Sequence, residues 1–165
     1  WSLACLDGEV APSPAYGGGM YFVANDNATA TAIRFREEDG RATPEIAWQW
    51  DEALPDVASP LGSDTHFYVA TSLGYIICLD IASGKVAWGE EFDQGFYASP
   101  ILAGGRIFAV DKKGTTHVFE DGPAYKAVAA CKLGEAVFAT PAFLDGRIYF
   151  RTEKRLICVA RQDGT

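Results

Sequence analysis

An all-β chain built from repeated four-stranded antiparallel units is what this sequence predicts, and three observations carry the prediction. A Ser/Thr-Pro step recurs four times, at Ser13-Pro14, Ser59-Pro60, Ser99-Pro100 and Thr140-Pro141, at intervals of 46, 40 and 41 residues. Runs rich in β-branched and aromatic residues stand on both sides of each step. Glycine-bearing turns separate those runs.

The elements follow in order within each unit. Pro has no N–H for a β ladder and a fixed φ, so Pro14, Pro60, Pro100 and Pro141 belong where an inner strand begins. Two or three apolar residues follow, then a hairpin turn: Gly17-Gly18-Gly19, Gly62-Ser63-Asp64, Gly104-Gly105, Asp145-Gly146. The second strands are predicted over Met20 to Ala24, His66 to Ala70, Arg106 to Val110 and Arg147 to Arg151. Third strands are predicted over Tyr75 to Asp80, Thr115 to Glu120 and Leu156 to Ala160. Fourth strands are predicted over Val86 to Phe92 and Ala127 to Leu133.

The first unit is longer. Its second turn falls at Asn25 to Asn27, its third strand at Thr29 to Phe35 and its fourth at Ile46 to Trp50. Between them, Glu37, Glu38, Asp39, Gly40 and Pro44 mark Arg36 to Glu45 as an exposed loop. Trp1 to Leu6 read as a fourth strand without its first three. The units are then about 9–50, 54–92 and 95–133, with a partial unit at 136–160. Four antiparallel strands in about 40 residues, repeated, indicate a β-propeller blade. The expectation is one propeller domain over 1–165, with three whole blades and a fourth split between the termini.

Bulk properties narrow the function classes. With 165 residues, 48% hydrophobic and 13% aromatic, the chain suits one β-rich domain. A net charge of −8 argues against nucleic acid and against an anionic membrane surface. No apolar run approaches the roughly 18 residues that span a bilayer. No signal peptide is present and position 1 is not Met, so the sequence reads as a mature product or a piece of a longer protein.

The segment Cys78-Leu79-Asp80-Ile81-Ala82-Ser83-Gly84-Lys85-Val86-Ala87-Trp88 closely resembles the Ala-x-Asp-x-x-Thr-Gly-x-x-x-Trp motif of quinoprotein (PQQ-like) propeller repeats. Asp80, Gly84 and Trp88 match it; Cys78 and Ser83 replace Ala and Thr. Asp80 can accept from turn amides, Gly84 supplies the turn conformation, and Trp88 is large enough to cross the seam between blades. Trp48 and Trp1 stand at corresponding fourth-strand positions, whereas the third unit has no Trp. Propellers of this family usually have seven or eight blades, so the resemblance implies the C-terminal half of a longer ring. Trp1 to Leu6 would either close a four-bladed ring within one chain, or two chains would pair open ends and imitate eight blades.

No catalytic, cofactor or metal residue is predicted. Some PQQ enzymes keep adjacent cysteines and a calcium ion; here Cys5, Cys78, Cys131 and Cys158 are all apart. Cys78 and Cys158 read as small buried hydrophobes in equivalent strands. Cys5 and Cys131 occupy similar places before their Ser and Thr, and a disulfide between them is left open. Asn25-Asp26-Asn27 is the nearest approach to a calcium loop, and a hairpin turn explains it better. PQQ and calcium are expected only in an intact protein. Asn27-Ala28-Thr29 is formally a glycosylation sequon. His66 and His117 are lone strand histidines. Ser13, Ser59 and Ser99 recur with the repeat, which marks them as structural rather than nucleophilic.

One set of residues could bind. Trp50, Phe96, Tyr97 and Phe138 precede the Ser/Thr-Pro steps beside Asp51, Glu52, Asp56, Asp93 and Glu135. These linkers should gather on one face of the propeller, where loops on a rigid scaffold carry binding. Capping of inter-blade seams is the plainer use of the aromatics. The resemblance implies a non-catalytic scaffold binding another protein in the bacterial envelope, periplasmic or secreted. Its alternatives are part of a PQQ-dependent dehydrogenase whose site lies on other blades, and a carbohydrate- or peptide-binding propeller.

Overall fold

The structure, a computed structural model, describes residues 1–26 and 28–161. Blade 1 comprises β1 (Ala15–Gly17), β2 (Met20–Val23), β3 (Ala30–Glu38) and β4 (Arg41–Trp50). Blade 2 comprises β5 (Leu61–Gly62), β6 (His66–Ala70), β7 (Tyr75–Asp80) and β8 (Val86–Glu91). Blade 3 comprises β9 (Ile101–Ala103), β10 (Arg106–Val110), β11 (Thr115–Glu120) and β12 (Ala127–Lys132). Blade 4 comprises β13 (Ala142–Leu144), β14 (Arg147–Arg151) and β15 (Leu156–Ala160). Each is an antiparallel meander in chain order, so the fold is an all-β arc of four propeller blades.

Two expectations about blade 1 and the N-terminus are corrected. Arg36 to Glu45 is not a loop: β3 runs on to Glu38, β4 starts at Arg41, and Asp39 and Gly40 make the turn. Both turn residues are left-handed, at φ 51° and 72°, which suits a two-residue hairpin. Ion pairs from Arg34 and Arg36 to Glu45 lie across the extension, at 3.4 and 3.2 Å. Trp1 to Leu6 form no strand and pair with no sheet; the Trp1 ring packs on Phe35 of blade 1, with centroids 4.7 Å apart. Blade 4 therefore has three strands among the described residues.

Alternation along the strands builds the seams. Phe22 and Phe67, from facing sides of blades 1 and 2, stack at 4.8 Å within a cluster holding Ala24, Ala32, Trp50, Val69 and Leu79. Tyr68, Ile76, Cys78, Phe96, Ile107 and Phe119 fill the seam between blades 2 and 3. Ala98, Val110, Val137 and Phe150 form the smaller seam between blades 3 and 4. Burying one such large side chain stabilises by about 1.5–3 kcal/mol, so the seams hold the blades in place.

The Ser/Thr-Pro steps are tied to one another. Ser13 N–H donates to Ser59 Oγ at 2.9 Å, Ser59 N–H to Ser99 Oγ at 2.9 Å, and Ser99 N–H to Thr140 Oγ1 at 3.0 Å. Each hydroxyl accepts from the preceding blade, forming a ladder along the inner strands. That role accounts for the recurrence of the serines.

A bulge recurs in each four-stranded blade, between Ala32 and Ile33, Cys78 and Leu79, and Val118 and Phe119. In blades 1 and 2 it immediately adjoins the pairs Ala32–Trp48 and Cys78–Trp88. Bulges re-aim side chains, and here both tryptophans reach over the neighbouring blade. Trp48 Nε1 donates to Ile81 O at 2.7 Å, and Trp88 Nε1 to Gly122 O at 3.0 Å.

Candidate binding face

Two ends of the blades carry different chemistry. At one end lie the turn of Asp80 to Lys85 and its counterpart at Asp121 and Gly122. Asp80 Oδ1 accepts from Ser83 N–H at 2.8 Å and Ser83 Oγ at 2.5 Å, and these bonds, the hydroxyl's first, hold its carboxyl below the usual range. Gly84 N–H donates to Asp80 O at 2.8 Å. Gly84 has φ 71°, and a Cβ there would meet Trp48 Cδ2 at 2.5 Å. The Asp80–Gly84 turn is thus the seat for the preceding blade's tryptophan, while Trp88 sits on the next blade.

The seam between blades 2 and 3 buries a polar network. Tyr68 Oη donates to Asp121 Oδ1 at 2.6 Å and accepts from Gly122 N–H at 3.0 Å. His66 Nδ1 lies 3.8 Å from Asp121 Oδ1. Burial first, then the Asp121 bond, raises the Tyr68 hydroxyl far above its ordinary value. Burial likewise pushes the Cys78 thiol up to about 12, so Cys78 is an inert packing residue. All four cysteines are free, Cys5 and Cys131 included. Cys158, expected to be buried like Cys78, is exposed, because nothing among the described residues covers its side of blade 4.

The linkers gather at the opposite end, against the second turn of each blade. Phe92 N–H and Phe96 N–H donate to Gly74 O and Thr71 O, and Lys112 N–H to Gly95 O. Asp56 Oδ1 accepts from Ser72 N–H at 3.1 Å; burial would raise its carboxyl, but the Ser72 hydrogen bonds outweigh that and lower it. Glu135 accepts from Thr152 Oγ1 at 2.5 Å and from the Arg155 guanidinium, which lower its carboxyl in that order. Asp111 is buried and caps its own turn, accepting from Lys113 and Thr115 N–H at 2.9 Å each, with His117 Nε2 at 3.1 Å. These carboxylates tie linkers and turns to the scaffold.

The sequence-predicted binding residues divide here. Trp50 and Phe96 are buried in seams, 8% and 0% exposed, and cannot meet a partner. Asp51, Glu52 and Asp93 are exposed on the linkers. Tyr97 and Phe138 are exposed at 38% and 47% and lie side by side, with ring centroids 5.8 Å apart. Lys112 Nζ stands 5.0 Å from the Tyr97 ring centre and donates to Ser72 O at 3.1 Å. Phe138 also borders an open cleft of about 390 Å³ with Arg151, Thr152 and Glu153. Leu73 and Val57 are exposed at the same end. Lys112 and Leu73 escaped the sequence reading; an apolar residue at a turn tip, Ser72-Leu73-Gly74, was the available signal.

The quinone and calcium of the resembled dehydrogenases need converging oxygen ligands. Among the described residues, no group of three or more His, Cys, Asp or Glu converges at ligand range. Asn25 is fully buried, but its amide nitrogen donates to Asp7 O and Glu9 O at 2.6 and 3.4 Å. Its Oδ1 is a buried acceptor without a partner among the described residues, and one amide oxygen is no donor set for a hard cation. These residues do not fit the group. Asn27, the third residue of that triplet and the sequon's acceptor, lies outside the described residues. No helix is long and apolar enough to cross a membrane among the described residues.

Comparison with known proteins agrees with this architecture. Residues 43–124 match the family described as outer membrane protein assembly factor BamB. BamB from Moraxella catarrhalis superposes with a TM-score of 0.74 at 20% identity, over 90% of this chain and 46% of that one. The chain thus spans less than half of that relative. The computationally designed Ika4 protein superposes with a TM-score of 0.71 at 12% identity, over 94% of both chains. A europium-containing methanol dehydrogenase gives 0.53 at 13% identity, over 72% of this chain and 25% of that one. No curated protein matches in sequence. With its repeated blades, its tryptophan-seated turns and this match, the chain is a PQQ-like β-propeller resembling the outer-membrane assembly factor propellers.

Proposed function

We propose that this propeller is a non-catalytic scaffold that docks another protein in the bacterial envelope, using the linker face. The observation that carries the reading is the exposed Tyr97–Phe138 pair with Lys112 beside it. Tyr and Phe are enriched at protein interfaces relative to the rest of a protein's surface. The surrounding ionisable groups support the same reading: Asp56, Asp111, His117 and Glu135 are engaged by turns and linkers rather than aimed at a shared reacting point. The match to the assembly-factor family favours the envelope and a protein partner over a sugar.

The test is capture from envelope extract with the chain and with the Tyr97→Ser/Phe138→Ser variant. A partner retained by the first and lost by the second, with unchanged circular dichroism, supports docking at this face. Equal retention by both overturns it. The dehydrogenase reading draws on fold likeness alone. Stoichiometric PQQ binding in the presence of calcium, with dye-linked alcohol oxidation, would replace the scaffold by an enzyme.

A further inference from the structure

Blades 2 and 3 each have a neighbour on both sides, and a cleft of about 460 Å³ opens at the linker end of the seam between them. The repeat allows its lining to be compared place by place. Strand register aligns Tyr75, Ile77 and Glu91 of blade 2 with Thr115, His117 and Lys132 of blade 3. The turns align Thr71 with Asp111 and Leu73 with Lys113, through the matching bonds from Gly74 N–H to Thr71 O and from Gly114 N–H to Asp111 O. At all five places blade 3 carries a different chemistry from blade 2, and all five of its residues line this one cleft. Departures from a repeat that gather at one spot mark a functional site rather than a structural need.

The turn itself does not require the change. Thr71 and Thr152 cap it in blades 2 and 4 with one hydroxyl, accepting from Tyr75 N–H at 3.1 Å and from Arg155 N–H at 2.9 Å. In blade 3, Asp111 Oδ1 does the same for Thr115 N–H at 2.9 Å, which leaves Oδ2 to hold His117 Nε2 at 3.1 Å. The place of His117 is Ile77 in blade 2 and Ile157 in blade 4. A buried carboxylate thus fixes an imidazole that meets the Phe92 ring edge-on, with centroids 4.6 Å apart. His117 Nδ1 has no partner among the described residues.

Charge is divided across the cleft. Glu91 and Asp93 stand on the wall made by the end of β8 and the linker after it, Lys113 and Lys132 on the wall made by blade 3. All four are exposed, and none makes an ion pair within 4.0 Å among the described residues. A ligand of one charge would meet like charge on one wall. A ligand with an ammonium at one end and a carboxylate at the other gains charge-assisted hydrogen bonds from both. A cleft of this volume is about 8 Å across, the reach of two to three extended residues.

We propose that this cleft binds a short peptide of two or three residues by its free termini. The amino end meets Glu91 and Asp93, the carboxylate meets Lys113 and Lys132, and the backbone between them crosses the Phe92 and His117 rings. The site is separate from the Tyr97–Phe138 pair and stands whether or not that pair docks a protein.

Titration of the 165-residue chain with triglycine, followed by amide chemical shifts, tests the proposal, because that probe has both termini and no side chains. Saturable shifts are expected at residues 91–94 and 111–117, with a dissociation constant in the millimolar range. N-acetyltriglycine lacks the ammonium and triglycine amide lacks the carboxylate, so each should bind at least about tenfold more weakly. Lys113→Leu/Lys132→Glu gives blade 3 the residues that blade 2 carries. With unchanged circular dichroism, that variant should also bind triglycine at least about tenfold more weakly. No saturable shift by about 20 mM triglycine overturns the proposal, as does equal binding by the capped forms or by the variant. Tighter binding of the fully capped peptide Ac-Lys-Gly-Glu-NH2 than of triglycine overturns it too, and assigns the cleft to side chains of a longer chain.

Discussion

Replacing Gly84 with Ala probes the tryptophan seat most sharply. Two costs meet at this position. The backbone stands at φ 71°, where a Cβ costs about 1–2 kcal/mol. The added methyl would also meet Trp48 Cδ2 at 2.5 Å. Pushing the indole aside disturbs its bond to Ile81 O and its packing on Phe67, an overpacking cost of about 1–3 kcal/mol. The sum predicts a loss of about 2–5 kcal/mol. Gly19 is the internal control, with φ 78° and nothing within 4 Å of the place a methyl would take. Gly19→Ala should cost only the backbone part, about 1–2 kcal/mol. Urea unfolding followed by both circular dichroism and fluorescence measures the difference, provided the two transitions coincide. In a Trp48→Leu background, the cost of Gly84→Ala should fall to that of Gly19→Ala. Equal costs for Gly84→Ala and Gly19→Ala in the parent chain would refute the seat.

Other perturbations follow from the same seams. Tyr68→Phe leaves Asp121 Oδ1 and Gly122 N–H without their hydroxyl partner, so unfolding should show a loss of about 1–3 kcal/mol. Ser59→Ala removes the hydroxyl that accepts from Ser13 N–H and should cost about 0.5–1.5 kcal/mol by the same assay, with Ser99→Ala, which removes the acceptor of Ser59 N–H, similar. Asp56, Asp80 and Glu135 have folded-state carboxyls lowered below their ordinary values. Their contribution is present above the ordinary carboxylate range and is lost as pH falls through the lowered folded values. The urea midpoint should therefore drop below about pH 4, and less steeply in Asp56→Asn. Cys131 should react with a thiol reagent in the native protein while Cys78 resists until unfolding.

Much of the fold was legible because the repeat fixes local chemistry. Strands β6, β7, β10, β11, β14 and β15 lie where β-branched and aromatic runs stand between glycine turns, and their limits match the sequence reading. The Asp39-Gly40 hairpin was missed because the charged residues around it argued for a loop. An Asp-Gly pair is itself a hairpin signal, and it outweighed that composition. The site was less legible. Trp50 and Tyr97 both precede a Ser-Pro step, yet one is buried and the other exposed. That outcome depends on the neighbouring blade, which local sequence does not specify. The partner of Trp48 is the turn at Gly84, 36 residues away, and only the closed seam brings them together.

Photo-crosslinking from the linker face tests protein docking most directly. A photoreactive residue in place of Phe138 or Tyr97 should yield a discrete heavier adduct in the bacterial envelope. The same residue in place of Ser83, at the opposite end of the blades, should yield none. Adducts of equal strength from Ser83 and Phe138, or none from Phe138 and Tyr97, would contradict a docking function for this face.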